Sequence, residues 1–317
     1  MPHSQLTISD LARTVEQIHF ARSHHISTDN VEFEDLKRVL LQRAPFHPLA
    51  LNLRAFDALP ETALPAPSKR FSGIARAFMD GRYTDALSEA QGVVSQDMTD
   101  DEQARLYTTI GDLESLLGSI ESAEDCFRKA LLILGPLPPL HARLGRCAFL
   151  RGDADTARSR AIRALVENPI YGTAMVLYLE ACRSRSIQLL PIPVQAGLVR
   201  TQSGWVATPD LSPKAVRAWE AWLNARASCT LEEFPPERTP TLALIQAWRS
   251  GTNDDLSYTD TPNPELDALE RMERDGILDG YLWFAGLDSS NANQWRAWKQ
   301  EHPRTMERFW SEGLILP

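Results

Sequence analysis

The chain has 317 residues, 43% hydrophobic and 24% charged, enough for one large or two modest domains around a sizeable core. Its net charge of -9 argues against general binding to phosphate backbones, so no nucleic-acid partner is expected. No apolar run approaches the ~20 residues that span a bilayer, and residues 1–25 lack the apolar region of a secretory signal, so a cytoplasmic protein with no membrane partner is expected.

From the N-terminus, Ser9-Asp10 predicts a capped helix to about Arg22, and Asp29-Asn30 another to about Arg43. His47-Pro48 opens a third, running to Leu59. Residues 1–66 therefore read as an N-terminal helical segment or cap, closed by the Pro-rich stretch PETALPAPS over 60–68. Five histidines fall early, at His3, His19, His24, His25 and His47, but no HxxxH spacing sets two of them on one helix face, so no metal site is expected.

A repeat follows. At a spacing of 34, Gly111 recurs as Gly145, Gly118 as Gly152, Ala123 as Ala157 and Ala130 as Ala164, with Ile110 matching Leu144. A further copy lies upstream, where Gly81 holds the place of Gly118 and Ala86 that of Ala123. Each unit reads as two helices. In the central copy these run near Ala104 to Leu117 and near Ile120 to Leu134, with Gly118 allowing the tight connection. Small residues stand where the helices approach closely, and Phe127 adds bulk on the face of Ala123 and Ala130.

These residues resemble the tetratricopeptide repeat (TPR), whose pattern sets a small residue in the first helix, Gly at the turn, and Ala, an aromatic and Ala in the second. The resemblance covers about residues 67–185. It departs where Glu114 and Ala148 replace the usual Tyr, and where Ala161 stands in the place of Phe127. It implies a TPR-type α-solenoid over those residues; with the flanking N-terminal helices and a C-terminal Trp-rich helical domain read from their own helix signals, the expected fold is all-α. It also implies that the first helices line a concave groove for a peptide or helix of a partner. Carried over by position, the groove residues are Arg105, Thr108, Asp112 and Ser115, then Ala142, Arg146 and Phe149, then Val176, Glu180 and Arg183. Arginine suits a carboxylate in such a groove, and Phe149 an apolar side chain.

Residues 186–317 differ in character, because all eight tryptophans fall at 205 or later. The segment LLPIPVQAGLVRTQSGWVATPD, broken by Pro191, Pro193 and Pro209, fits a short β-hairpin or an extended strap. Helix starts follow at Ser212-Pro213, Thr239-Pro240, Asn263-Pro264, Ser290 and Pro303, with stops at Gly251 and Gly276. The pairs Trp219/Trp222 and Trp295/Trp298 suit either core packing or an aromatic contact surface. Residues 251–317 carry 13 acidic against 6 basic side chains, which reads as a solvated face or as a surface for a basic partner.

The four cysteines, Cys126, Cys147, Cys182 and Cys229, form no CxxC pair and read as buried thiols in a reducing compartment. GxSxG, GxxxxGK[ST] and GxGxxG are all absent, so no cofactor is expected and a catalytic role has no motif behind it. The sequence thus points to an interaction scaffold or adaptor with a protein or peptide partner. The alternative is an accessory subunit or enzyme that recruits a protein substrate through the repeats and acts through its C-terminal domain. Oligomeric state is not written in the sequence.

Overall fold

The computed structural model describes residues 7–24, 30–44, 47–93, 97–189, 198–201, 204–207, 213–228, 238–250, 263–287 and 289–314. The chain divides into two compact units, Met1–Ser186 and Ile187–Pro317. The described residues are helical apart from one two-stranded hairpin. No helix among them is long and apolar enough to cross a membrane.

The first unit opens with α1 (Ile8–Ser23), α2 (Asn30–Arg43) and α3 (Pro48–Ala58). The cap of α1 is Thr7, two residues before the expected Ser9: its hydroxyl oxygen accepts from the Asp10 N–H. Asp10 then falls in the first turn, where a carboxylate suits the helix dipole. His47 caps α3 by accepting from the Leu49 N–H, and Pro48 takes the first helical position. The expected cap at Asp29 lies outside the described residues.

Three helix pairs follow: α4 (Ser72–Met79) with α5 (Tyr83–Gly92), α6 (Asp100–Leu116) with α7 (Ile120–Leu134), and α8 (Pro138–Leu150) with α9 (Ala154–Glu167). A last helix, α10 (Gly172–Ser184), packs on α8 and α9. The turns within the pairs hold Gly81, Gly118 and Gly152 at φ of 75°, 87° and 82°, a left-handed conformation that a side chain disfavours. Close approach explains the other repeated glycines. A Cβ on Gly111 would lie 2.5 Å from the Phe127 ring, and one on Gly145 would lie 2.6 Å from Leu177 Cδ2. Leu177 of α10 thus supplies against Gly145 the bulk that Phe127 supplies against Gly111. That substitution accounts for Ala161 standing in the place of Phe127.

Helices α1–α3 are not confined to one end of this stack. Phe20 of α1 stacks on Phe78 of α4 with ring centroids 5.2 Å apart. At the other end, the Asn52 amide donates to Thr173 Oγ1 at 2.8 Å while its carbonyl accepts from the Thr173 N–H. The fully buried Asn168, just after α9, donates through Nδ2 to the Ala55 carbonyl at 3.2 Å and to Thr62 Oγ1 at 2.8 Å. The N-terminal helices therefore lie across the first helices of the pairs, from α4 to α10.

In the second unit, β1 (Leu198–Thr201) and β2 (Gly204–Ala207) pair antiparallel, with Leu198 opposite Ala207. Six helices follow: α11 (Pro213–Ser228), α12 (Arg238–Ser250), α13 (Pro264–Arg274), α14 (Leu278–Gly286), α15 (Ala292–Glu301) and α16 (Thr305–Arg308), the last running into a π-turn over Phe309–Gly313. Asn263 caps α13 through the Leu266 N–H, as its sequence position requires. Helix α12 begins one residue before Thr239, and α15 begins at Ala292, after Asn291 rather than Ser290. Pro303 falls in the turn before α16. Helix α14 has no counterpart in the sequence reading: LDGYLWFAG is apolar on almost every side, so it shows no helical period. Trp283, Trp295 and Trp310 are essentially unexposed, and Trp219 and Trp222 meet edge to face at 6.1 Å. These indoles are core packing. Pro191, Pro193, Pro209, Ser212, Cys229, Gly251 and the side chain of Trp205 lie outside the described residues.

Overpacking at the helix crossings is expected to destabilise. Gly145→Val should lower stability by about 1–3 kcal/mol in urea denaturation. Gly92→Ala meets no atom within 4 Å, so it should be neutral or stabilise by up to about 1 kcal/mol. Equal effects for the two would mean that the close approach at Gly145 does not constrain the stack.

His141 on α8 gives a second test. It is buried, and its Nδ1 lies 3.3 Å from Arg160 Nη1. Arginine only donates, so this nitrogen accepts and the ring is neutral. Burial, then the charges of Arg160 and Arg163, bring the imidazole down to about 4 against an opposing pull from Glu167. Between pH 6.5 and about 4 the unfolded chain takes up a proton that the folded chain refuses, so stability falls as pH drops through that window. Urea midpoints should therefore drop more steeply on acidification for wild type than for His141→Gln. Parallel curves would mean that His141 is protonated in the fold.

Candidate functional site

Helices α1–α3 and the first helices of the pairs do not fill the space between them. Between them lies a cavity of about 650 Å³, partly open to solvent. Its apolar wall comes from Phe20 on α1, Phe33 on α2, Leu53 and Phe56 on α3, and Ile74 and Phe78 on α4. Its polar wall comes from Arg105, Thr109 and Asp112 on α6 and Arg143 on α8. Helical spacing explains the grouping on α6, because residues separated by four and by three share one face.

Most of the cavity's charges are matched. Arg143 holds Asp112 in a two-pronged pair, with Nε to Oδ1 at 2.7 Å and Nη2 to Oδ2 at 2.9 Å. Burial opposes the Arg143 charge, but the attraction of Asp112 outweighs it and holds the guanidinium above its ordinary value. Arg22 pairs with Glu34 at 3.1 Å and Lys37 with Asp57 at 3.0 Å. Glu16 is exposed to water. Burial, followed by the charges of Lys37 and Arg22, lowers His19 and favours its neutral ring.

Arg105 is the exception. Its Nε is buried with no hydrogen-bond partner, and among the described residues no carboxylate pairs with its guanidinium. Burial, then repulsion by Arg143, brings it down to about 10, with Asp112 opposing. It stays charged at neutral pH. Arg105 is half-buried, and a partly desolvated guanidinium without a counterion is unfavourable, which an anion in the cavity would relieve.

The expected groove residues separate into two groups. Arg105 and Asp112 line the cavity. Thr108 does not: it is 1% exposed and its hydroxyl donates to the Ala104 carbonyl at 2.9 Å. The face turns by one residue, so Thr109 takes its place, and the residue 34 further on is Arg143. That column was available in the sequence and would have found Arg143. Ala142 is buried. Arg146, Phe149, Glu180 and Arg183 lie outside the cavity lining. Arg146 pairs with Glu180 at 2.7 Å and sits 5.5 Å from the Phe149 ring centroid, and Arg183 is exposed. Nothing in the sequence signalled that α1–α3 would roof the first helices.

The chemistry available in the cavity is recognition of an anion beside apolar surface. The described cysteines are free and buried or half-buried; burial pushes Cys147 up to about 11 and raises Cys126 and Cys182, which keeps them thiols. No group of three or more His, Cys, Asp or Glu that could hold a metal ion occurs among the described residues. Comparison with family models, with curated proteins and with solved structures finds no match to the chain.

Removing the unmatched charge should stabilise the unliganded protein. Arg105→Met is expected to raise the thermal midpoint by about 2–4 °C, corresponding to ~1 kcal/mol. A lower midpoint would mean that the guanidinium holds the fold together.

Proposed function

We propose that the chain is a non-catalytic interaction scaffold of tetratricopeptide type, which holds a peptide or helix of a partner protein on the part of the first-helix face that α1–α3 leave open. One observation carries the reading. Arg146 and Glu180 stand 34 residues apart on successive first helices, outside the cavity lining, and keep side chains 50% and 38% exposed. Beside them Phe149 is half-buried and Arg183 is exposed. Alternating charge next to an aromatic ring suits a polypeptide segment with a charged and an apolar side chain.

Two further features support it. Met79, Leu116 and Leu150 fall at equivalent repeat positions, each two residues before a turn glycine, and are 44%, 55% and 48% exposed. Such a row lies along the edge where paired helices meet and offers apolar contact to a partner. In the second unit the tryptophans whose side chains are described pack in a core. The buried free thiols suit a reducing compartment, so a cytoplasmic setting belongs to the same reading.

The test is cross-linking capture from native lysate with the intact chain and with the double variant Arg146→Glu/Phe149→Ala. Both positions are at least partly exposed, so thermal stability should hardly change. Proteins cross-linked by wild type should fall about tenfold with the variant, a loss of ~1.4 kcal/mol. Equal recovery, or none above background with wild type, would overturn the proposal.

A further inference from the structure

We infer that the cavity between α1–α3 and the repeat helices is a binding site for a small organic monocarboxylate with an apolar body, its carboxylate seated on Arg105. The inference stands apart from the partner-binding reading, because Arg146, Phe149, Glu180 and Arg183 do not line this cavity.

Three observations fix the ligand's chemistry. The first is charge. Arg22, Lys37 and Arg143 each hold a carboxylate, and the Arg105 guanidinium holds none among the described residues, with its Nε buried and unpartnered. The lining's fourth carboxylate, Glu16, is exposed to water and pairs with none of these cations, so Arg105 is the lining cation left without a carboxylate partner. A planar guanidinium matches a carboxylate with two parallel hydrogen bonds.

The second is the surrounding field. Asp112 lines the same wall as Arg105 and already engages Arg143. Glu34 and Asp57 keep side chains 63% and 60% exposed and so stand at the rim. A dianion such as a phosphate monoester would pass these carboxylates and then face Asp112. A single charge meets half that repulsion.

The third is shape and polarity. A volume of about 650 Å³ is the size of a small-molecule site. Phe20, Phe33, Phe56 and Phe78 present aromatic surface to it, so the remainder of the ligand is apolar. His19, with its neutral ring favoured, adds no competing cation.

The experiment is isothermal titration of the intact protein with octanoate and phenylacetate, with octanamide and octyl phosphate as matched probes. At least one carboxylate should saturate at one per chain. Octanamide should bind about tenfold more weakly than octanoate, and octyl phosphate no better than octanoate. Arg105→Gln should lose about tenfold in affinity, Arg105→Lys should recover part of it, and Arg146→Glu should bind as wild type does. A thermal melt confirms that each variant is folded. The inference is overturned if neither carboxylate saturates at millimolar concentration, if Arg105→Gln binds equally, or if octyl phosphate binds more tightly.

Discussion

Two helix crossings set the geometry of the first unit: α6 against α7 at Gly111, and α8 against α9 and α10 at Gly145. Each is close because a glycine leaves room for a neighbour's side chain, Phe127 in one case and Leu177 in the other. Packed interiors have little slack, so the space below a missing Cβ decides how near two helices come. With that distance set, the second helices pack against the first on one side only. The other side of α4, α6 and α8 is left without a partner from within the repeats.

That uncovered face is what α1–α3 answer. They meet α4 through Phe20 on Phe78, and they meet the segment around α10 through Asn52 and Ala55, with Thr62 in the turn after α3 adding a bond. The contacts at the α10 end include hydrogen bonds, partly to the fully buried Asn168, beside the Phe56–Tyr171 ring contact, and such bonds demand a defined geometry. The contact at the α4 end is a ring stack, which tolerates sliding. Helices pinned at one end and stacked at the other span the curved face between without conforming to it. The cavity is the gap that this leaves, and Arg105 is the cation that the gap strands.

Much of the first unit was legible in the sequence because its devices are local. A turn glycine with positive φ, a proline at the first helical position and alanines at a fixed spacing each act within a few residues of themselves. Thr7 displaced the expected cap at Ser9 only because either residue can cap and the choice rests on backbone conformation. The cavity wall was half legible: Arg105 and Asp112 face it, but the face is turned by one residue from Thr108 to Thr109, and that column leads to Arg143. The docking of α1–α3 was not legible, since Asn52 and Thr173 lie 121 residues apart and neither belongs to a motif. Helix α14 escaped for a different reason: a segment that is apolar on almost every side carries little period to read.

The tryptophan asymmetry follows from the same packing argument. A stack whose helices meet through Gly and Ala has no volume for an indole at its crossings, and the described core of the first unit takes its bulk from Phe, Tyr, Leu and Ile. The second unit has no such repeat to respect. Its short helices enclose little interior each, and large rings such as Trp283, Trp295 and Trp310 fill it with few residues. The filling leaves the second unit's described core closed, with Trp298 stacked on Trp295 and Trp310 edge-on to Phe284. The first unit, built from small residues on a fixed spacing, has no comparable means of closing the face that α1–α3 cross. Its phenylalanines coat that face without occupying it, and this is why a partly open cavity with an unmatched cation arises in the half of the chain that has no tryptophan.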